Sequence, residues 1–347
     1  MDPAHDALVR RKDEHIDHVR EGRGRSAAGS GLDVVRFAHD ALPEIDHDAI
    51  DLSTRLLGKR LARPFLISSM TGGPSRAEGV NARLAEAAQA LGIALAVGSQ
   101  RVALESNADL GLGADLRRRA PDALILANLG AVQFVKGYGL DQARRAVEMI
   151  GADGLILHLN PLQEAVQAEG DRDWRGVRAA IAAVAEAFPG RLVVKETGAG
   201  ISGAVARRLQ GMGVAALDVA GAGGTNWGLI EGARAAGGRA ETVVRPFAAW
   251  GVPTARSLFE AAAAAPDLVL IGSGGIADGL DAARAIRLGA RVVGQAAGVL
   301  EAALVSTEAV IDHFEVMEAQ LRLACFCTGS ADLAALAQAP LLDPVRF

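Results

Sequence analysis

One lysine lies inside an apolar, strand-like run. Lys195 falls in Leu-Val-Val-Lys-Glu at 192–196, and a buried cation must meet an anion or lose its proton. Two chemistries suit it: a Schiff-base nucleophile, or a cation opposite a cofactor's electron-rich ring. The bland alternative is a lysine paired with a neighbouring carboxylate. The chain has four lysines among 36 basic residues, so a lysine at such a position points to function.

A second cluster, His158, Asn160, Gln163 and Glu164, reads HLNPLQE at 158–164. Strand alternation puts His158 and Asn160 on one side, and Gln163 and Glu164 fall in the turn beyond. A lone carboxylate flanked by amides suits Mg²⁺ shared with a phosphate, because Mg²⁺ keeps waters and takes few protein ligands. It does not suit zinc, which wants a His/Cys cluster. A helix-start carboxylate reads equally well for Glu164, and both readings stand at this point.

Two glycine-bearing loops, GSGG at 272–275 and GQAAG at 294–298, each lead into a helix-like stretch. Glycine lets backbone N–H groups approach a phosphate, and a helix N-terminus favours the anion. Trp227, in a Gly-rich loop, suits either the wall of an apolar pocket or a loop anchor. The charged run RKDEH at 11–15 reads as a solvated helix or as a basic arm reaching an anionic substrate. Cys325 and Cys327 in an apolar helix read as core rather than as a redox pair.

These residues need a scaffold. Eight short apolar runs read as buried parallel strands: 65–69, 93–97, 124–128, 154–160, 192–196, 216–220, 268–272 and 291–295. Between them lie helix-like stretches at 75–91, 140–150, 174–188, 201–210, 255–265 and 278–288. Strand then helix, eight times, predicts an α/β fold closed into a (β/α)8 TIM barrel; an open doubly wound sheet is the alternative. In a barrel all eight polar or glycine-rich strand ends meet on one face, where active sites are built. The loops after the seventh and eighth strands then form a phosphate site.

The expected organisation is an N-terminal arm and lead-in segment (1–60), the barrel (61–305) and a C-terminal helix and tail (306–347). Residues 21–31, rich in Gly, Ser and Arg, read as a mobile loop. The connection 228–252 reads as a lid or binding loop.

Composition narrows the class. Half of the 347 residues are apolar and 22% are charged, which excludes general disorder. A net charge of −5 speaks against nucleic-acid or membrane-surface partners. Two cysteines fit a reducing cytoplasm, no apolar run reaches the length of a membrane span, and the first residues lack the apolar core of an export signal.

Together the motifs RKDEH, SSMTGG (68–73), VGSQR (97–101), HLNPLQE, VKETGAGIS (194–202), DVAGAGGTNW (218–227) and GSGGI (272–276) resemble type 2 isopentenyl-diphosphate isomerases over most of the chain. MTGG and GSGGI are shared by other FMN barrels; HLNPLQE, VKETG and GTNW in this order are specific. The resemblance implies an FMN-binding TIM barrel. With Mg²⁺ and a reduced flavin, such an enzyme interconverts isopentenyl and dimethylallyl diphosphate, without net redox change. NADPH is the expected flavin reductant.

Carried onto this chain, the resemblance implies FMN contacts from Ser69, Met70, Thr71, Gly72, Ser99, Asn128, Lys195 and Thr225. The flavin phosphate would lie at Gly274, Gly275, Ala296 and Ala297. The substrate would meet Arg11, Lys12, His15, Ser99, Gln100, Arg101, Gln163 and Trp227, with His158, Asn160, Gln163 and Lys195 as catalytic groups and Glu164 as the Mg²⁺ ligand. Ala277 departs from the larger, often basic residue expected there. An FMN oxidoreductase such as a 2-hydroxy-acid oxidase and a non-catalytic phosphate-binding barrel are the competing readings. Apolar residues near the C-terminus imply a homo-oligomer, a tetramer or octamer.

Overall fold

The computed structural model describes residues 14–15, 17–70, 76–106, 109, 111–234 and 238–347. A short antiparallel hairpin, β1 (Thr54–Leu56) and β2 (Lys59–Leu61), precedes eight parallel strands. These are β3 (Phe65–Ile67), β4 (Ala94–Ala96), β5 (Leu124–Gly130), β6 (Gly154–Leu159), β7 (Leu192–Glu196), β8 (Ala216–Asp218), β9 (Val269–Ser273) and β10 (Ala290–Gln295). Each pairs with the next. β10 returns to β3, with Val293 opposite Phe65 and Gln295 opposite Ile67, which closes the barrel. Closure removes the open-sheet alternative.

The apolar runs are continuous because both faces of such a strand are buried. On β3, Leu66 points into the barrel with Leu126, Ile156, Val193 and Ile271, while Phe65 and Ile67 join the outer layer between sheet and helices. Leu56 and Leu61 of the hairpin belong to the same inner cluster. Each aliphatic side chain so buried contributes about 1.5–3 kcal/mol relative to exposure. The C-terminal helix Thr307–Phe326 packs along the helices Arg76–Leu91 and Gly279–Arg287, its Phe314 ring 5.7 Å from Phe65.

One loop expectation is corrected. Residues 21–31 are pinned across the end of the barrel. Arg25 bridges to Thr225. Asn226 N–H donates to Gly24 O (2.7 Å), Ser26 N–H to Gly224 O (2.8 Å) and Ala255 N–H to Ser30 O (2.9 Å). Glycine here serves close approach rather than freedom: a Cβ at Gly24 would lie 2.3 Å from Ile230 Cδ1, and one at Gly223 2.5 Å from Ser30 Cα. The connection 228–252 carries helices of its own. Its described residues include the helices Trp227–Arg234 and Arg239–Val244 and a 3₁₀ turn, Arg245–Phe247.

Candidate active site

Strand alternation decides what enters the barrel mouth. Above the apolar inner layer, the same parity brings in Ser68, Asn128, His158, Lys195, Asp218 and Ser273. Gly294 leaves room for this layer, since a Cβ there would meet Ser68 Oγ at 2.4 Å and Ser273 Cβ at 3.0 Å.

Over the layer opens a cavity of about 320 Å³. Most expected site residues meet in it: Ser69, Met70, Ser99, Arg101, Asn128, His158, Asn160, Gln163, Glu164, Lys195, Trp227 and His15. Gln133, Glu105 and Thr197 line it too, without having stood out in the sequence. Gly274 and Gly275 follow β9 at the same barrel end, and Ala296 caps the helix Ala297–Val305 after β10. Both glycines hold positive φ, 103° and 68°, and a Cβ at Gly224 would lie 2.8 Å from Gly275 N. The loops after β8 and β9 therefore touch backbone to backbone. Thr225 lies in this packing, its carbonyl 2.1 Å from where a Gly198 Cβ would stand. Arg11, Lys12, Thr71 and Gly72 lie outside the described residues.

Gln100 departs from its expected role. Its side chain is fully buried, accepting from Asn128 N–H (2.9 Å) and donating to Ala146 O (2.9 Å). It braces β5 and does not line the cavity.

The polar contacts form two chains. Asn128 donates to Val97 O (3.0 Å) and its Oδ1 lies 2.8 Å from His158 Nδ1, which fixes the imidazole from the strand next door. On the other side Asn160 Nδ2 donates to Gln163 Oε1 (3.1 Å) and Glu164 Oε1 (3.0 Å). Glu164 Oε2 accepts from Asp171 N–H (2.7 Å).

Gln163 Nε2 donates to Glu231 (2.9 Å), a buried acid that no motif announced. Glu231 also meets His15 Nε2 (3.1 Å) and Arg234 Nη1 (2.6 Å). Burial pushes its carboxyl up, but the bond to His15, the Gln163 amide and the Arg234 charge outweigh burial and bring it down to about 2. His15 stands edge-on to Trp227, with ring centroids 5.1 Å apart.

Beneath, Lys195 is 7% exposed and donates to Glu196 O (2.5 Å). The Glu196 carboxylate turns away into a nest of backbone N–H groups, Thr197 and Gly198 (each 2.6 Å), Ala199, and Gly200 (3.1 Å). Burial nonetheless carries Glu196 up to about 7 against those donors and Lys195. At the rim, Arg101 pairs with Glu105 (3.0 Å) and faces Asp171 at 3.8 Å.

No family model matches the chain. Curated relatives do. An isopentenyl-diphosphate delta-isomerase of Xanthobacter autotrophicus is 64% identical over 96% of this chain and 97% of its own length. One of Stutzerimonas stutzeri is 61% identical over 97% and 98%.

The chain belongs to the isopentenyl-diphosphate delta-isomerase family.

A cyanobacterial isomerase from Synechocystis, 50% identical over 97% of both chains, extends the same relationship. Among solved structures, a lactate oxidase of Pediococcus acidilactici aligns with a TM-score of 0.68 at 18% identity, over 98% of this chain and 94% of its own. A mandelate oxidase carrying an FMN adduct aligns at 0.63 and 18%, over 91% and 92%. At that identity they establish a shared barrel. In this isopentenyl-diphosphate isomerase the cavity residues lie at the same barrel mouth, on the C-terminal strand ends where such folds build active sites.

Proposed function

We propose that this enzyme interconverts isopentenyl diphosphate and dimethylallyl diphosphate, with reduced FMN as acid–base cofactor and Mg²⁺ anchoring the diphosphate. Family membership supports the reaction. The observation that carries the site assignment is the convergence of Lys195, His158, Asn160, Gln163 and Glu164 on one cavity with Arg101 and His15.

The residues present fit FMN. Ser69 Oγ and Asn160 Oδ1 border the cavity, each buried and without a hydrogen-bond partner among the described residues. Gly274, Gly275 and the first turn of Ala297–Val305 offer the phosphate a backbone cradle. Ser69, Met70, Ser99 and Asn128 would hold the ring, with Lys195 as its cation. Bound FMN would supply a proton-carrying edge where the protein has few groups of its own.

The chain's own groups do the rest. Shifting the double bond adds a proton at one carbon and removes one at another, through a tertiary cation that water would capture. A dry pocket is required, and Met70 and Trp227 furnish apolar wall. Arg101 and His15 attract the diphosphate to the rim. Glu164 would hold Mg²⁺; among the described residues no group of three or more His, Cys, Asp or Glu side chains gathers to bind a metal, so the phosphates and water must complete the sphere. His158, braced by Asn128, and Gln163, braced by Glu231, orient the alkene. A single histidine cannot easily serve both carbons.

NADPH as reductant, a homo-oligomeric state of tetramer or octamer, and a cytoplasmic setting complete the reading. No helix among the described residues is long and apolar enough to cross a membrane. Purified protein reconstituted with FMN tests the assignment: a flavin absorbance band and Mg²⁺-dependent formation of dimethylallyl diphosphate are expected. Protein that takes up no flavin contradicts it.

A further inference from the structure

We propose that Asp218 is a positioning residue for the cofactor site. It is the counter-charge, in the barrel beside Lys195, that limits how much of the lysine's positive charge the flavin feels. The inference rests on the FMN reading and concerns residues that reading leaves unused.

Lys195 and Asp218 are paired in register across β7 and β8, and parity turns both inward. Asp218 is 1% exposed. Its Oδ1 accepts from Ser273 Oγ (2.6 Å) and from Ala220 N–H (3.2 Å). Its Oδ2 is buried without a hydrogen-bond partner among the described residues. Two donors on one oxygen favour the carboxylate form, and a carboxylate under an active site is retained at a cost in desolvation. Burial wins on balance and lifts the Asp218 carboxyl above the usual carboxylate range, against Lys195, the Ser273 hydroxyl and the Ala220 N–H, which all favour the charged form.

The other nearby acid cannot play this part. The Glu196 carboxylate is spent on the backbone nest that shapes the turn after β7, and it follows Lys195 with opposite parity. Lys195 itself hydrogen-bonds Glu196 through the carbonyl. Asp218 is thus the inward-facing negative charge of the polar layer formed with Ser68, Asn128, His158, Lys195 and Ser273. In a low-dielectric interior such a charge is felt across several ångströms.

The consequence has a sign. A cation beside the flavin favours its anionic reduced form, and Asp218 offsets that preference. Asp218→Asn keeps the shape and can keep both accepted hydrogen bonds at its carbonyl oxygen. It removes the charge. The reduced form should then be favoured at least tenfold, about 30 mV upward for a two-electron couple. Ser273→Ala acts in the same direction more weakly: it removes a donor that stabilises the carboxylate, so the potential should rise by less.

The experiment is a spectroscopic titration with dithionite and a reference dye, run on FMN-loaded wild type, Asp218→Asn and Ser273→Ala, with FMN affinity measured for each. A rise for Asp218→Asn supports the inference, as does a smaller rise for Ser273→Ala should the first variant fail to fold. Flavin-loaded Asp218→Asn with an unchanged or lowered potential overturns it, as does a Ser273→Ala potential that does not rise should Asp218→Asn fail to fold. Wild-type protein that binds no FMN overturns the cofactor reading and this inference with it.

Discussion

Gln163 and Glu231 lie 68 positions apart and meet at 2.9 Å. The same carboxylate holds His15 and Arg234, so one buried acid ties the N-terminal segment to the turn after β6. The amide is thereby given an orientation: its Nε2 is committed to Glu231 and its Oε1 accepts from Asn160. An amide free to flip presents either a donor or an acceptor to substrate.

Glu231→Gln should therefore lower kcat while leaving FMN affinity intact. Losing one hydrogen bond to a buried charge costs about 1.5–3 kcal/mol, a factor of ten to a hundred in rate if fully expressed in the transition state. A second readout is stability against pH. The folded-state pKa of Glu231 lies near 2, below its ordinary 4.5. Its contribution is then fully present above 4.5 and is lost as pH falls towards 2. Thermal melts should show the wild type's advantage over the variant at pH 6 and its shrinkage below pH 4.5.

How far this was legible in the sequence depended on what each residue does. The eight strands could be read because parallel barrel strands are apolar on both faces, and Lys195 stood out as a charge inside such a run. His158 and Asn160 followed from strand alternation, while Asn128 entered only through the resemblance. Glu231 carried no motif. Its signal is a charged residue on the buried face of the helix Trp227–Arg234, beside buried Ile230, and only the tertiary contact gives that meaning. Gln100 entered only with the resemblance, and its burial against Asn128 and Ala146 depends on tertiary contacts that no local pattern shows. Residues 21–31 misled because glycine is as much the residue of close backbone contact as of mobility.

Lys195→Ala removes the buried cation facing the flavin site. Equilibrium titration should show FMN bound ten- to a hundredfold more weakly, on the scale of one charge-assisted interaction. Unchanged affinity and activity would remove Lys195 from the site.

Deleting residues 1–21 takes away RKDEH and the His15–Glu231 contact but spares the backbone bridge at Arg25. The shortened protein should fold and bind FMN. KM should rise at least about a hundredfold, from two charge-assisted contacts at roughly 1.5–3 kcal/mol each. A normal KM would remove the run from the substrate site and leave His15 a packing role against Glu231.

Glu164→Gln keeps size and removes the charge. Steady-state rates across a Mg²⁺ titration should fall sharply at low metal and recover in part at high metal, with FMN still bound. If Glu164 only starts the helix Pro161–Val166, turnover stays intact and the cost is about 0.3–1 kcal/mol of stability.

The central claim is isomerisation without net redox chemistry, and anaerobic turnover tests it most directly. FMN-loaded protein is reduced once, freed of excess reductant, and given isopentenyl diphosphate with Mg²⁺. The account predicts many equivalents of dimethylallyl diphosphate per flavin, the flavin remaining reduced. Product limited to one equivalent, flavin oxidised in step with turnover, or no dimethylallyl diphosphate at all would contradict it.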